Sequence, residues 1–202
     1  MPRYDESGLL SRLAGLPATS RVTFSAACAQ RLVSLCEGLA GAWDERVPGA
    51  FLTAVQAVWQ VAARQLTPDD VSGIEDLVDP HVPHDDDEAW VEFSAYLQAA
   101  GIALIHALRS AATGEPQRSV FVARHLYETA NYAAEQRRGS YLDVHADEPD
   151  IVARTRRAMD ADLDTIVRRY GDRGRAGGPC ASSCGARGPG ARGGDRDAAL
   201  RG

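Results

Sequence analysis

Potential metal ligands are concentrated between residues 81 and 88 (HVPHDDDE), where histidines lie beside a run of acidic residues. Imidazole nitrogens and carboxylate oxygens bind divalent metals, so His81, His84 and Asp85 are the metal-site candidates. Pro83 excludes a helix that would present both histidines on one face. We favour the interpretation that the acidic run charges and caps the start of the next helix. No cofactor is predicted.

Three further side chains are candidates for acid–base catalysis. His125 and Glu128 lie three residues apart and share one face of a predicted helix, and His106 lies in the helix before it. The Glu-x-x-His order of helical di-iron proteins is absent at every histidine. We therefore interpret His125 and Glu128 as part of a partly exposed polar face, and His106 as a hydrogen-bonded core histidine.

Other sequence motifs give little support for catalysis. Dinucleotide-binding, P-loop, nucleophile-elbow and His-Glu-x-x-His patterns do not occur in the sequence. Cys180 and Cys184 have no second pair of ligands nearby to complete a zinc site. Cys28 and Cys36 are interpreted as small buried hydrophobes in the reducing cytoplasm. These observations favour a non-enzyme.

The elements that position these side chains are predicted to be helices throughout. Apolar residues recur with a helical period from about Leu9 to Tyr170, as in the stripe of Cys28, Leu32, Leu35 and Leu39. Proline, glycine and capping residues predict seven helices, at about 5–14, 19–38, 48–66, 67–78, 86–112, 116–138 and from 149 onward. We predict an all-α, single-domain bundle with residues 99–108 at its centre.

The chain is predicted to consist of a folded domain, residues 1–171, and a tail, residues 172–202. Of the 31 tail residues, 21 are Gly, Arg or Ala and none is aromatic. Such a segment buries too little apolar surface to offset the entropy of ordering it, so we predict disorder. The triplet at 192–194 (RGG) is a weak signal for RNA binding.

The distribution of charge restricts the partners of the folded domain. The whole chain has a net charge of −6, and the tail is basic, so the domain itself is more acidic than the chain. An acidic surface repels nucleic acid and anionic lipid. No stretch is long and apolar enough to span a bilayer, and the acidic N-terminus is unlike a secretory signal. We therefore expect no nucleic-acid or membrane partner, and a cytoplasmic location.

In the order of its segments, the sequence resembles the bacterial YjaG-like family, a domain of unknown function. The resemblance rests on residues 9–13 (LLSRL), 22–31 (VTFSAACAQR), 51–59, 99–108, 119–122 (SVFV) and the helix after Glu148-Pro149. It spans about residues 4–170 and implies an all-α fold. It also implies a link to signalling, which has been suggested for such proteins from gene neighbourhood. It supplies no catalytic residues.

Together these observations predict a non-catalytic, cytoplasmic protein-interaction module, with a link to signalling. A protein partner is expected, and a homodimer is one form that the interaction could take. Two alternatives remain open at the level of sequence. One is a metal-dependent enzyme that uses the loop of His81 and His84. The other is an acidic, immunity-type inhibitor of a basic protein.

Overall fold

Seven α-helices make up the part of the chain that the structure describes, as predicted, and this part contains no strand. The structure is a computed structural model that describes residues 4–40, 46–84, 86, 91–139 and 150–176. The helices are α1 (Glu6–Ala14), α2 (Ala18–Ala40), α3 (Gly49–Ala62), α4 (Ile74–Val78), α5 (Glu92–Thr113), α6 (Pro116–Gly139) and α7 (Ile151–Ala176). Short 3-10 turns at Pro68–Val71 and Asp79–His81 flank α4.

Helices α2, α5 and α6 pack against one another at the centre of the bundle. α3 packs on α2 and α5, α7 on α6 and α2, α1 on α6, and α4 on α3 and α5. The predicted central position of residues 99–108 is confirmed, because Ala100, Ala103 and Leu104 are fully buried. Small residues on these faces allow the helix axes to approach closely.

Helix α3 ends at Ala62, four residues earlier than predicted. Arg64 adopts a left-handed conformation, with φ of 60°. The N–H of Gln65 donates to the carbonyl of Gln60 (2.8 Å), and the N–H of Arg64 donates to that of Val61 (3.0 Å). These two bonds form a Schellman motif, which usually has glycine at the left-handed position. Because arginine occupies it here, the sequence gives no stop signal.

The predicted fourth helix, residues 67–78, is interrupted. The carboxylate of Asp70 accepts hydrogen bonds from the backbone N–H and the hydroxyl of Thr67, both at 2.7 Å, and Thr67 is the N-cap residue of the 3-10 turn Pro68–Val71. The turn ends at Ser72, and Gly73 has φ of 88°. A left-handed residue cannot continue a right-handed helix, so α4 begins anew at Ile74.

The starts of two other helices also differ from the prediction. α5 begins at Glu92, and the preceding Val91 is extended, whereas Asp86 lies in a separate turn. The side chain of Ser94 accepts from the N–H of Val91 at 3.1 Å. Asp86 therefore does not cap α5; Asp85 and Asp87 lie outside the described residues. α2 begins at Ala18, one residue before the predicted start at residue 19, so Thr19 and Ser20 lie in its first turn.

Three serine hydroxyls form a buried polar cluster where α2, α5 and α6 meet. Ser25 Oγ donates to Ser119 Oγ at 2.8 Å and lies 3.2 Å from Ser110 Oγ, and the oxygens of Ser110 and Ser119 are 3.0 Å apart. All three residues are fully buried. Burying a hydroxyl group lowers the stability of the fold unless the group is hydrogen-bonded. The hydrogen bonds among the three serines therefore offset the cost of burying them between the central helices. No feature of the sequence predicted this cluster.

The last described helix crosses the predicted boundary of the tail. The backbone of α7 is helical through Ala176, so the first five residues of the predicted tail continue the helix. The rest of the tail, including Cys180 and Cys184, lies outside the described residues. Cys28 and Cys36 are buried with free thiols, as predicted. Among the described helices, none has the length and apolar character needed to cross a membrane.

Candidate functional site

The structure does not gather the metal-site candidates into a cluster. His81 ends a 3-10 turn, and both His81 and His84 are exposed. Asp85 lies outside the described residues. Within the described part of the chain, no group of three or more histidine, cysteine, aspartate or glutamate side chains could hold a metal ion. The metal alternative therefore gains no geometric support from the residues that the structure describes.

The structure does bring together two of the catalytic candidates, His106 of α5 and His125 of α6. Their rings are stacked, with centroids 5.9 Å apart and planes inclined by 21°. Phe121 lies against His106 at a centroid distance of 4.9 Å. Nδ1 of His106 is buried and has no hydrogen-bond partner among the described residues. The hydrogen bond that we expected for a core histidine is therefore absent at this atom.

The surroundings of the pair disfavour a positive charge. The pKa of His106 is lowered from its ordinary value of 6.5 to about 4; burial is the largest cause, His125, Arg118 and Arg109 also lower it, and Glu75 opposes them. Burial also lowers the pKa of His125. Arg109 is itself ion-paired with Glu75 of α4, and Arg118 with Glu115. Both imidazoles are thus held neutral, as packing groups.

We expect the protein to lose stability as the pH falls from about 6.5 towards 4. An imidazole with a depressed pKa in the folded state is protonated more readily in the unfolded state, so acid favours unfolding. Replacing His106 with glutamine should remove on the order of 1 kcal/mol of this loss, discounted for partial exposure. Urea unfolding of the wild type and of His106→Gln at pH 7 and pH 4.5 measures this loss of unfolding free energy. His81→Gln is the exposed control, and an equal pH dependence in both variants would contradict the expectation.

His125 and Glu128 are not joined by a hydrogen bond or ion pair within the described residues. Glu128 is exposed and accepts from Nε of Arg124 at 2.8 Å. Tyr132, farther along the same helix, packs instead against Tyr96, with ring centroids 5.2 Å apart. Nothing in this geometry forms a general acid–base pair, and the catalytic candidates stay predictions.

A cavity of about 410 Å³ lies between α1 and α7 over a floor that includes Phe24 and Leu163. Its rim is bridged by Arg12, whose guanidinium lies 3.7 Å from Asp160 and 2.5 Å from Asp164. Asp5, also on the rim, caps α1 by accepting from the N–H of Gly8 at 2.9 Å. Arg12 and its two aspartate partners thus hold α1 to α7, and Asp5 is engaged in capping α1.

A larger groove of about 590 Å³ lies between α2 and α7, with Leu126 of α6 at its base. We call it the α2–α7 groove. Successive turns of the two helices supply its walls, so it follows their length. The groove is lined by Gln30, Arg31, Ser34, Leu35, Gly38 and Leu39 of α2 and by Ile151, Arg154, Thr155 and Ala158 of α7.

The floor of the groove is apolar, and the charged side chains among its described wall residues are two arginines. Leu126 and Ile151 are buried, and Leu35 and Leu39 are partly covered. Arg31 is fixed by Asp162 of α7, to which its Nε and a terminal nitrogen donate at 3.0 and 2.6 Å. Arg154 is exposed and has no ion-pair partner within the described part of the chain. Among the described residues, none that lines the groove is a carboxylate.

The position of Gly38 leaves the upper part of the groove open. A Cβ atom added to Gly38 would meet nothing within 4 Å. No side chain of α2 therefore fills the groove at Gly38, and a side chain of a bound ligand could enter it there. A groove with an apolar floor and an unpaired arginine at its edge suits a ligand that combines apolar groups with a negative charge.

The sequence contained a partial signal for this groove. Leu35 and Leu39 belong to the apolar stripe that the sequence places on one face of a predicted helix. In the structure Cys28 and Leu32 are fully buried, whereas Leu35 and Leu39 are only partly buried and line the groove. The C-terminal part of the stripe therefore extends beyond the core that covers its first part.

Comparisons with known proteins show the fold and no function. No protein-family model matches the sequence, and no curated protein matches it. A crystal structure of a DUF416 family protein from Shewanella baltica OS155 has a similar fold, with a TM-score of 0.59. The match covers 80% of this chain and 85% of that one, at 16% sequence identity. This chain thus shares the fold of a protein from an uncharacterised domain family.

Proposed function

We propose that this chain is a non-catalytic protein-interaction module that binds an acidic, amphipathic helix of a partner protein in the α2–α7 groove. The observation that supports the proposal is the charge of the groove. In a chain with a net charge of −6, the described residues that line the groove include two arginines and no carboxylate, over an apolar floor. An acidic helix would gain both apolar burial and ion pairs there.

The dimensions of the groove fit a short helix. Its wall on α2 runs from Gln30 to Leu39, which is about 14 Å at 1.5 Å per residue. A partner helix of two to three turns would place apolar side chains at i, i+3 or i+4 and i+7 on Leu35, Leu39 and Ile151. A carboxylate on its flank would reach Arg154, whose guanidinium can bind both oxygens.

The finer assignments made from the sequence also belong to this proposal. Placement in the YjaG-like family is supported by the fold shared with a DUF416 family protein. A cytoplasmic location is supported by the two buried free thiols, Cys28 and Cys36. A role in signalling rests on the family resemblance alone. Recovery of a sensor or regulator protein as the specific partner would support it.

We expect Arg154→Glu to weaken binding of the partner at least tenfold. The substitution places a carboxylate where the acidic helix needs a cation, and like charges repel. Full-length wild-type protein and the variant would be used to capture proteins from the organism that encodes the chain, with quantitative mass spectrometry. Binding of a synthetic acidic amphipathic helix would then be measured by fluorescence anisotropy at moderate salt.

Two further variants make the test specific to the groove. Arg169→Glu makes the same change at an exposed position of α7 outside the groove, about 22 Å away along the axis, and should bind as wild type does. Gly38→Glu introduces a carboxylate from the opposite wall into open space and should weaken binding. Equal binding by wild type, Arg154→Glu and Gly38→Glu would overturn the proposal.

A further inference from the structure

Helix α3 is unlike the other described helices because it contains no charged residue. Its sequence, GAFLTAVQAVWQVA, has only Thr53, Gln56 and Gln60 as polar side chains. Each of the other six described helices carries at least one acidic or basic residue. A fully buried helix would explain this composition, but the described elements that pack on α3, namely α2, α5, α4 and the turn at Pro68–Val71, leave part of its surface exposed.

The opposite side of α3 is exposed and partly apolar. Leu52 is 44% exposed and Trp59 is 37% exposed. Thr53 and Gln56 are also exposed, and Gln60 is partly so. With spacings of four and three residues, Leu52, Gln56 and Trp59 form one stripe. We call these five residues the α3 outer face. An exposed tryptophan on a surface without charge is typical of the centre of a protein interface.

We propose that the α3 outer face binds a second copy of this chain, with the two α3 helices antiparallel across a two-fold axis. The net charge of the protein is the reason why we infer a second copy as the partner of this face. Two molecules with a net charge of −6 repel each other, and an uncharged face lets them meet without opposing carboxylates. A basic partner would instead be drawn to the acidic surface, and an acidic one to the arginines of the α2–α7 groove.

The sequence of the face is complementary to itself under this symmetry. Gln56 lies midway between Leu52 and Gln60. An antiparallel pair centred at Gln56 places Leu52 of one copy near Trp59 and Gln60 of the other. The two Gln56 side chains meet near the axis, where each amide can both donate and accept a hydrogen bond. Two-fold contacts require such self-complementarity.

The size of the face predicts a weak dimer. α3 has 14 residues and is therefore about 21 Å long, with a width of about 10 Å. Its outer face is well below the roughly 800 Å² per partner of a standard stable interface. We expect dissociation constants of about 10–100 μM, so that the protein is monomeric when dilute and dimeric when concentrated. This self-association is independent of the helix binding proposed for the α2–α7 groove.

Analytical ultracentrifugation of the full chain from about 1 to 500 μM tests the proposal. We expect the weight-average mass to rise towards that of a dimer, and to rise further when the salt concentration is increased, because salt screens the repulsion between acidic copies. Trp59→Lys should raise the dissociation constant at least tenfold, since it removes the largest apolar side chain of the face and brings a cation into each half of the interface. Val167→Lys is the control, at a residue of α7 that is also 37% exposed.

Two further measurements keep the outcome decisive. Because Trp59 is partly buried, its replacement also changes contacts within the protein. Thr53→Glu is therefore a second variant, which adds a charge at an exposed position of the same face and should also prevent association. Arg154→Glu should leave association unchanged, which separates this proposal from groove binding. A wild-type protein that stays monomeric at 500 μM, or a dimer that persists in both face variants, would overturn the proposal.

Discussion

Replacing Phe51 with alanine is expected to lower the free energy of unfolding by about 3–5 kcal/mol, which is the usual cost of removing a fully buried phenylalanine. Phe51 is fully buried in the first turn of α3. Its ring reaches α5 at Gly101, where Cζ would lie 3.1 Å from an added Cβ atom. The ring thus packs closely on the backbone of α5 at a residue without a side chain, and its loss would leave a cavity between the two helices.

The neighbouring residue supplies a control for this prediction. Leu52 lies in the same turn of α3 but is exposed, so Leu52→Ala should change stability by no more than about 0.5 kcal/mol. Urea unfolding monitored by circular dichroism gives both values. A loss below about 1 kcal/mol for Phe51→Ala would mean that α3 does not pack on α5 as described. It would also weaken the argument for the α3 outer face, because that face is defined by which side of α3 is buried.

The number and order of the helices could be predicted because each one buries a stripe of apolar residues with a helical period. Helix ends were less predictable, since they depend on backbone conformations that several residue types can adopt. Gly73 is a sequence signal for the interruption of the predicted helix 67–78, although the prediction did not use it. Arg64 gives no such signal, because arginine does not favour the left-handed conformation that ends α3. Backbone hydrogen bonds stabilise this conformation instead.

The α2–α7 groove could not be predicted because it depends on which part of an apolar stripe other helices cover. Leu32 and Leu35 look equivalent in the sequence, yet the first is fully buried and the second lines the groove. The difference arises from where α6 and α7 lie against α2, which is a property of the tertiary packing. The serine cluster is similar, since Ser25, Ser110 and Ser119 lie on three helices and become neighbours only when these pack.

We expect Gly101→Ala to destabilise the protein by about 1–3 kcal/mol, the range observed when a packed core is overfilled. In most helix interiors the same substitution stabilises, by up to about 1 kcal/mol. Here an added Cβ atom would lie 2.5 Å from Cγ2 of Val82 and 3.1 Å from Cζ of Phe51. Val82 lies in the connection before α5 and is buried, so the clash would push this connection away from the helix.

A double-mutant cycle with Val82→Ala tests this cause directly. Removing Cγ2 leaves Cβ of Val82 at 3.4 Å from the added atom, which is close to an ordinary contact. The combined loss in stability should therefore be smaller than the sum of the single losses by about 1 kcal/mol or more. Gly38→Ala, which meets open space in α2, is the control and should stabilise. If Gly101→Ala also stabilises, the close packing of α5 against Val82 and Phe51 is wrong, and with it the anchoring of α3 on which the α3 outer face depends.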